Sequence, residues 1–330
     1  MDLFLLVLSF MVILAGALLF TNAVEWIGHR LELGEGAVGS LLAAVGTAMP
    51  ETLIAIVALV GATRSEDVAV GAIVGAPFLL ATLAMGLVGL TAYLYRHRRS
   101  QGIELRAHVP TLDRDLIFFL VFFGLALALG FGAPEEIRIP AGILFFCAYP
   151  IYVWRTLVRG GAIQPEETLN PLIMDRGPGR GSDPSIAIAV VQFLVGLGAM
   201  VGGAHLFVEE LLEVAEDLGV EAIVLSLILA PLATELPEKV NSFFWVREGK
   251  DSLALGNITG AMVFQSVIPV GIGLVFTDWD LSGNAALSVG LGLAGGVIAY
   301  WALRLRDRFE LPAVLAWIAL YAAFIVVVAV

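Results

Sequence analysis

Apolar residues run along this chain in long stretches that show no polar face. Leu3–Phe20 and Leu116–Leu129 hold no charged residue at all. A soluble amphipathic helix turns a polar stripe to water every three or four residues, and most runs here do not. Each is close to the ~20 apolar residues that carry a helix across a bilayer. Taken between charges, glycines and prolines, the runs predict ten spans: 2–22, 36–60, 68–94, 114–132, 137–157, 184–208, 221–246, 252–276, 283–303 and 311–329. The first and sixth are expected to continue as helix beyond the membrane, and each boundary carries a margin of several residues.

Charge then orients the spans. With the N-terminus outside, the inward segments collect Arg30, Arg96, Arg98, Arg99, Arg106, Arg114, Arg155, Arg159, Arg176, Arg180, Arg247, Lys250, Arg304, Arg306 and Arg308. The outward segments hold Arg64 and Arg138, and Lys239 falls within a span. Basic residues favour the cytoplasmic side. The expectation is a multi-pass protein of the cell membrane with both termini extracytoplasmic and residues 158–183 cytoplasmic. That long segment is rich in Gly, Pro, Asp and Arg and reads as a linker. It separates residues 1–157 from residues 184–330, five spans each. The outer loops are acidic, as at Glu135, Glu136, Glu209, Glu210 and Asp278.

Composition agrees. Hydrophobic residues make up 59% of the 330 and charged residues 15%, against roughly 25% charged in soluble domains. A net charge of −12 excludes a nucleic-acid partner, which needs a basic face. No Gly-x-x-x-x-Gly-Lys-Ser/Thr run offers a nucleotide site. Cys147 stands alone and permits no intrachain disulfide. No cofactor is expected. The expected partners are inorganic cations and the lipid bilayer; the sequence leaves the oligomeric state open.

The chain repeats itself. Gly46-Thr-Ala-Met-Pro-Glu51 matches Ala233-Thr-Glu-Leu-Pro-Glu238, each in the second span of its half. About twenty residues later, Gly71-Ala-Ile-Val-Gly-Ala76 matches Gly256-Asn-Ile-Thr-Gly-Ala261. Ser40-Leu41 also matches Ser226-Leu227. Because five spans is an odd number, the second half enters the membrane from the opposite side. This inverted plan belongs to many secondary transporters, whose site lies at the midplane where the repeats meet. Gly71/Gly75 and Gly256/Gly260 are expected to permit close helix packing.

The Pro-Glu pairs carry the chemistry. A helical proline loosens the carbonyl four residues back, so Pro50 frees that of Gly46 and Pro237 that of Ala233. Thr47 and Glu51 share one helix face, as do Thr234 and Glu238. An acid inside a membrane is costly and marks function. Two carboxylates, two threonine oxygens and loosened carbonyls suit a hard divalent cation such as Ca²⁺. Glu235 and Lys239 are spaced for a helical ion pair, and Lys239 is expected to compensate charge at the site. Gln265 and Asn257 are further candidates for its lining.

These residues resemble the calcium:cation antiporter superfamily, which includes the sodium/calcium exchangers. Its members have ten helices in two inverted halves, each with a Gly-Thr-Ser-x-Pro-Glu motif followed by a Gly-Asn-x-x-Gly-Ser-type motif. The resemblance implies that Glu51, Glu238, Thr47 and Thr234 bind the cation. The chain departs where the family has serines: Ala48, Glu235, Ala76 and Ala261. Further polar positions of the family fall on Leu80 and Gln265, and Asn257 has Ala72 as its counterpart. The family's serines and amides supply much of its sodium coordination.

The sequence therefore predicts an all-α integral membrane protein of ten helices in two inverted five-helix repeats. Its expected function is not enzymatic. It is secondary active antiport of Ca²⁺ or another divalent cation against Na⁺ or H⁺, driven by gradients. Two readings stand beside it: a non-transporting homologue that senses cations, and a carboxylate-dependent intramembrane hydrolase. His205 with Glu209, and the tryptophans at 26, 154, 245, 279, 301 and 317, read as interfacial residues.

Overall fold

A computed structural model describes residues 2–30, 38–62, 64–106, 108–158, 171–175 and 184–329. The side chains of 2, 28, 29, 38–48, 157, 158, 233, 236–241 and 329 lie outside the described set. The chain is nearly all helical. In order come α1 (Asp2–Arg30), α2 (Val38–Val60), α3 (Glu66–Leu79), α4 (Met85–Leu94), α5 (Val109–Leu129) and α6 (Glu135–Val158). The second half holds α7 (Ile186–Leu218), α8 (Ala222–Arg247), α9 (Asp251–Gln265), α10 (Ile268–Phe276), α11 (Gly283–Arg306) and α12 (Leu311–Ala329). Among the described residues, seven helical stretches are long and apolar enough to cross a membrane.

Local chemistry explains the boundaries. α5 begins at Val109, ahead of its apolar run, because Pro110 sits in its first turn, where a missing N–H is harmless. α7 continues to Leu218, past the apolar run, and ends on left-handed Gly219. α3 passes into α4 through a π-helical turn at Leu80–Ala84, three residues after Pro77. α9 and α10 are separated by Ser266 and Val267, and Pro269 opens α10. The two irregularities fall at matching places in the two halves.

Cross-ties fix which segments share an end of the bundle. At one end, β1 (Leu105–Arg106) pairs antiparallel with β2 (Arg308–Phe309). There the buried Arg99 guanidinium meets both oxygens of Asp251 at 2.8 and 2.9 Å and also bonds the Val246 carbonyl. At the other end, the Leu281 amide donates to the Gly130 carbonyl at 3.0 Å, and Arg138 lies 3.7 Å from Asp278. The loops that the charge pattern put on one side are therefore together.

One large core is built from α3–α6 and α8–α12, with Phe78, Phe119, Phe123, Phe145, Trp317 and Phe324 fully buried in it. Smaller clusters attach α1 and α7. Three tryptophans correct the interfacial reading. Trp26 is buried beside Leu172 and Ala189. Trp279 donates its indole N–H to the Ala126 carbonyl, and Trp317 donates to that of Gly295, both at 3.0 Å. A buried indole needs such a partner, and a carbonyl inside the bundle supplies it. Gly273 leaves room for Trp279, since a Cβ there would lie 2.2 Å from the ring. Trp154 and Trp301 are exposed.

Candidate cation site

α3 and α8 touch backbone to backbone. A Cβ on Gly71 would come 2.8 Å from the Ile223 carbonyl, and one on Gly75 would come 2.6 Å from that of Leu227. Ser226 adds a 2.7 Å bond to the Val68 carbonyl. This contact is what the small residues predicted for the first glycine pair. For the second pair, a Cβ on Gly256 or Gly260 would meet nothing within 4 Å among the described residues. The tight α3–α8 contact fixes the height at which α8 presents Thr234 and Glu235 to the interior.

Three polar side chains meet there. Glu51 of α2 is 2% exposed, Glu235 of α8 is 1% and Gln265 of α9 is 0%. The Gln265 amide nitrogen donates to Glu51 Oε1 at 3.5 Å and also to Glu235 Oε1. One nitrogen thus joins a carboxylate from each half of the chain. Gln265 Oε1 accepts no hydrogen bond among the described residues. Gln265 is the last residue of α9, so it sits on the break before α10.

Thr234 is buried and donates to the Ala230 carbonyl at 3.0 Å, leaving its oxygen's lone pairs available. Asn257 is elsewhere. It lies roughly 12 Å down α9 from Gln265 by helical rise, and bonds Ser242 at 3.4 Å. The backbones of Gly46 and Thr47 belong to α2, and those of Ala233, Glu238 and Lys239 to α8. The side chains of Thr47, Ala233, Glu238 and Lys239 lie outside the described residues. Positions 76, 80 and 261, where the sequence lacks polar groups, are apolar; Leu80 and Ala76 are buried. His205 and Glu209 are exposed, and among the described residues no cluster of three His, Cys, Asp or Glu forms a metal site.

Two polar centres escaped the sequence reading. Asp115, 2% exposed, accepts from Tyr152 at 2.5 Å, from Arg114 at 3.1 Å and from Thr259 at 2.9 Å. It thereby joins α5, α6 and α9. The second is Arg99 with Asp251. A charged residue beside an apolar run reads as a solvated flank, so neither was separable from its neighbours. Asp115 gives one retrospective signal, since an acid one residue before an unbroken apolar run of fourteen sits at the membrane edge.

Comparison with known proteins agrees with this architecture. The sequence pattern of the family described as Sodium/calcium exchanger protein matches residues 1–158 and 188–330. The sodium/calcium exchanger MaX1 of Methanosarcina acetivorans is 24% identical over 299 residues, covering 82% of this chain and 82% of that protein. The crystal structure of the H⁺/Ca²⁺ exchanger CAX superposes with a TM-score of 0.73 at 20% identity, over 98% of this chain and 81% of that one. The sodium-calcium exchanger NCX_Mj, soaked with Na⁺ and Sr²⁺, gives 0.60 at 19% identity over 98% of each chain. The family match spans nearly the whole sequence, so this multi-pass membrane protein belongs to the sodium/calcium exchanger family of cation antiporters, which are secondary transporters and not enzymes.

Proposed function

We propose that the chain exchanges Ca²⁺ or another divalent cation against Na⁺ or H⁺ at a midplane site. Its ligands would be Glu51, Glu238, Thr47 and Thr234, with the loosened carbonyls of Gly46 and Ala233. The observation that carries this reading is the meeting of the two Pro-Glu segments. Glu51 and Glu235, one from each segment, share a single buried amide. Glu238 lies one turn beyond Glu235 on α8, next to Pro237.

The ten spans would be α1, α2, α3 with α4, α5, α6, α7, α8, α9 with α10, α11 and α12, in two inverted halves. Helix neighbours support this plan. α1 packs on α7 and α5 on α11, the pairs that a twofold maps onto themselves. α6 on α10 mirrors α12 on α4, and α5 on α9 mirrors α11 on α3. The basic loops would face the cytoplasm with both termini outside. Transport would proceed by rocking α1 and α7 against the remaining bundle. Lys239 would place a fixed positive charge near Glu235 where other members hold a coupling cation. Lys239→Ala, assayed for flux across a sodium series, tests this; unchanged coupling removes the idea.

Uptake of radiolabelled Ca²⁺ into proteoliposomes tests the function. Glu51→Gln and Glu238→Gln are expected to abolish it. Full uptake in either variant contradicts the site. Imposed pH and sodium gradients then identify the counter-ion, because a buried carboxyl can trade a proton for a cation. A second reading, a cation-binding homologue without transport, is favoured by the buried apolar Leu80 and Ala76 at otherwise polar positions. Retained binding with no flux of any divalent ion would select it.

A further inference from the structure

The amide nitrogen of Gln265 faces Glu51, a proposed cation ligand, and Glu235, one turn before the other proposed carboxylate on α8. A side-chain amide nitrogen carries two N–H donors and no free lone pair for a metal. A hard divalent cation takes oxygen only. Nitrogen and cation cannot both occupy the space facing Glu51 Oε1 and Glu235 Oε1. The other end of the same amide is the reverse case. Gln265 Oε1 is buried with no hydrogen-bond partner among the described residues, and amide oxygens are ordinary Ca²⁺ ligands. The terminal torsion of Gln is broad and roughly twofold. Turning the amide over therefore meets little torsional resistance; its cost is the two bonds released and the pairing its N–H donors give up, which cation binding must offset. The backbone allows adjustment as well, since Ser266 and Val267 leave the helix directly after Gln265.

We propose that Gln265 is a cation-responsive residue of the site. Without a cation its NH₂ group bridges Glu51 and Glu235 and holds the two halves together. With a divalent cation bound, the amide turns and Oε1 joins the ligands. This rests on the cation-site reading above and adds to it which group the cation displaces. Binding must break two hydrogen bonds to carboxylates, and release restores them. Gln265 is thus set to moderate affinity and speed release, both of which an exchanger needs for turnover.

Isothermal titration of Ca²⁺ into the purified full-length protein tests the proposal with Gln265→Glu and Glu51→Gln. Gln265→Glu removes both donors and adds a carboxylate, so its affinity is expected to rise about tenfold or more. Unchanged or weaker binding in that variant, with binding lost in Glu51→Gln, overturns the proposal and leaves the site standing. Unaltered binding in Glu51→Gln overturns the site reading itself. A measurement on the wild-type chain decides the matter if Gln265→Glu does not fold. The chain has four glutamines, Gln101, Gln164, Gln192 and Gln265, so their ¹⁵N side-chain amide signals are few. One pair, absent in Gln265→Met, is expected to lie downfield without Ca²⁺ and to move upfield at saturation. A Gln265 pair that stays in place contradicts the proposal.

Discussion

Around α5, α9 and α11 the helices are tied by buried and half-buried polar groups. Arg99 clamps Asp251, Asp115 gathers Arg114, Tyr152 and Thr259, and two indoles hold carbonyls of neighbouring helices. Between α1 and α7 the contact is made instead by absence of side chains. A Cβ on Gly16 would lie 2.9 Å from the Gly196 carbonyl, and one on Gly196 would lie 2.7 Å from the Phe20 nitrogen. Polar bridges sit at one end, where Arg30 donates to the Pro184 carbonyl at 2.8 Å. Gln192 donates to Asn22 and to the Leu19 carbonyl, both at 2.9 Å, and accepts from Met174 of the linker at 2.8 Å. The first region can move only by breaking charged hydrogen bonds. The second is a close-packed pair resting on small apolar clusters, suited to sliding as a unit. The proposed site draws on α2, α8 and α9.

Four substitutions probe that difference, read as shifts in unfolding free energy in detergent or bicelles. Arg99→Ala leaves the Asp251 carboxylate buried with only the Arg106 backbone N–H to meet it among the described residues and is expected to cost about 3–5 kcal/mol. Gly196→Val drives a side chain into the α1 backbone and should cost about 1–3 kcal/mol, with transport falling because the pair no longer docks. Gln192→Leu removes the bridge to Asn22 and Met174 and should cost about 1–2 kcal/mol, with faster proteolysis near residues 171–175. Arg304→Ala breaks an exposed pair with Asp113 and should cost about 0–1 kcal/mol. If Gln192→Leu destabilises as much as Arg99→Ala, the two regions are not held differently.

The helices were legible because lipid removes the need for a polar face. Each apolar run therefore marks its own helix, and α10 and α12 end within a residue of the runs that predicted them. The repeated Pro-Glu motif singled out Glu51 and Glu238 in the same way, since both stand inside largely apolar sequence. The partners were not legible. Gln265 lies 214 residues from Glu51, and no local pattern says which face of α9 turns to α2. Arg99 looked like Arg96 and Arg98, although it alone of the three is buried. Trp279 and Trp317 sit near helix ends, where an indole anchors equally well to the interface or to a carbonyl inside; only packing decides. The π-helical turn after Pro77 has no sequence signal beyond that proline.

The proposed exchange requires a divalent cation to bind where the two Pro-Glu segments meet. Crystals of the full chain soaked in Sr²⁺, with anomalous scattering recorded, would locate that ion. A peak is expected between α2 and α8, in direct contact with carboxylate oxygens of Glu51 and Glu238 and slightly farther from them than the about 2.3–2.6 Å of Ca²⁺. Peaks confined to the acidic loops at the ends of the bundle, with none between α2 and α8, would contradict it.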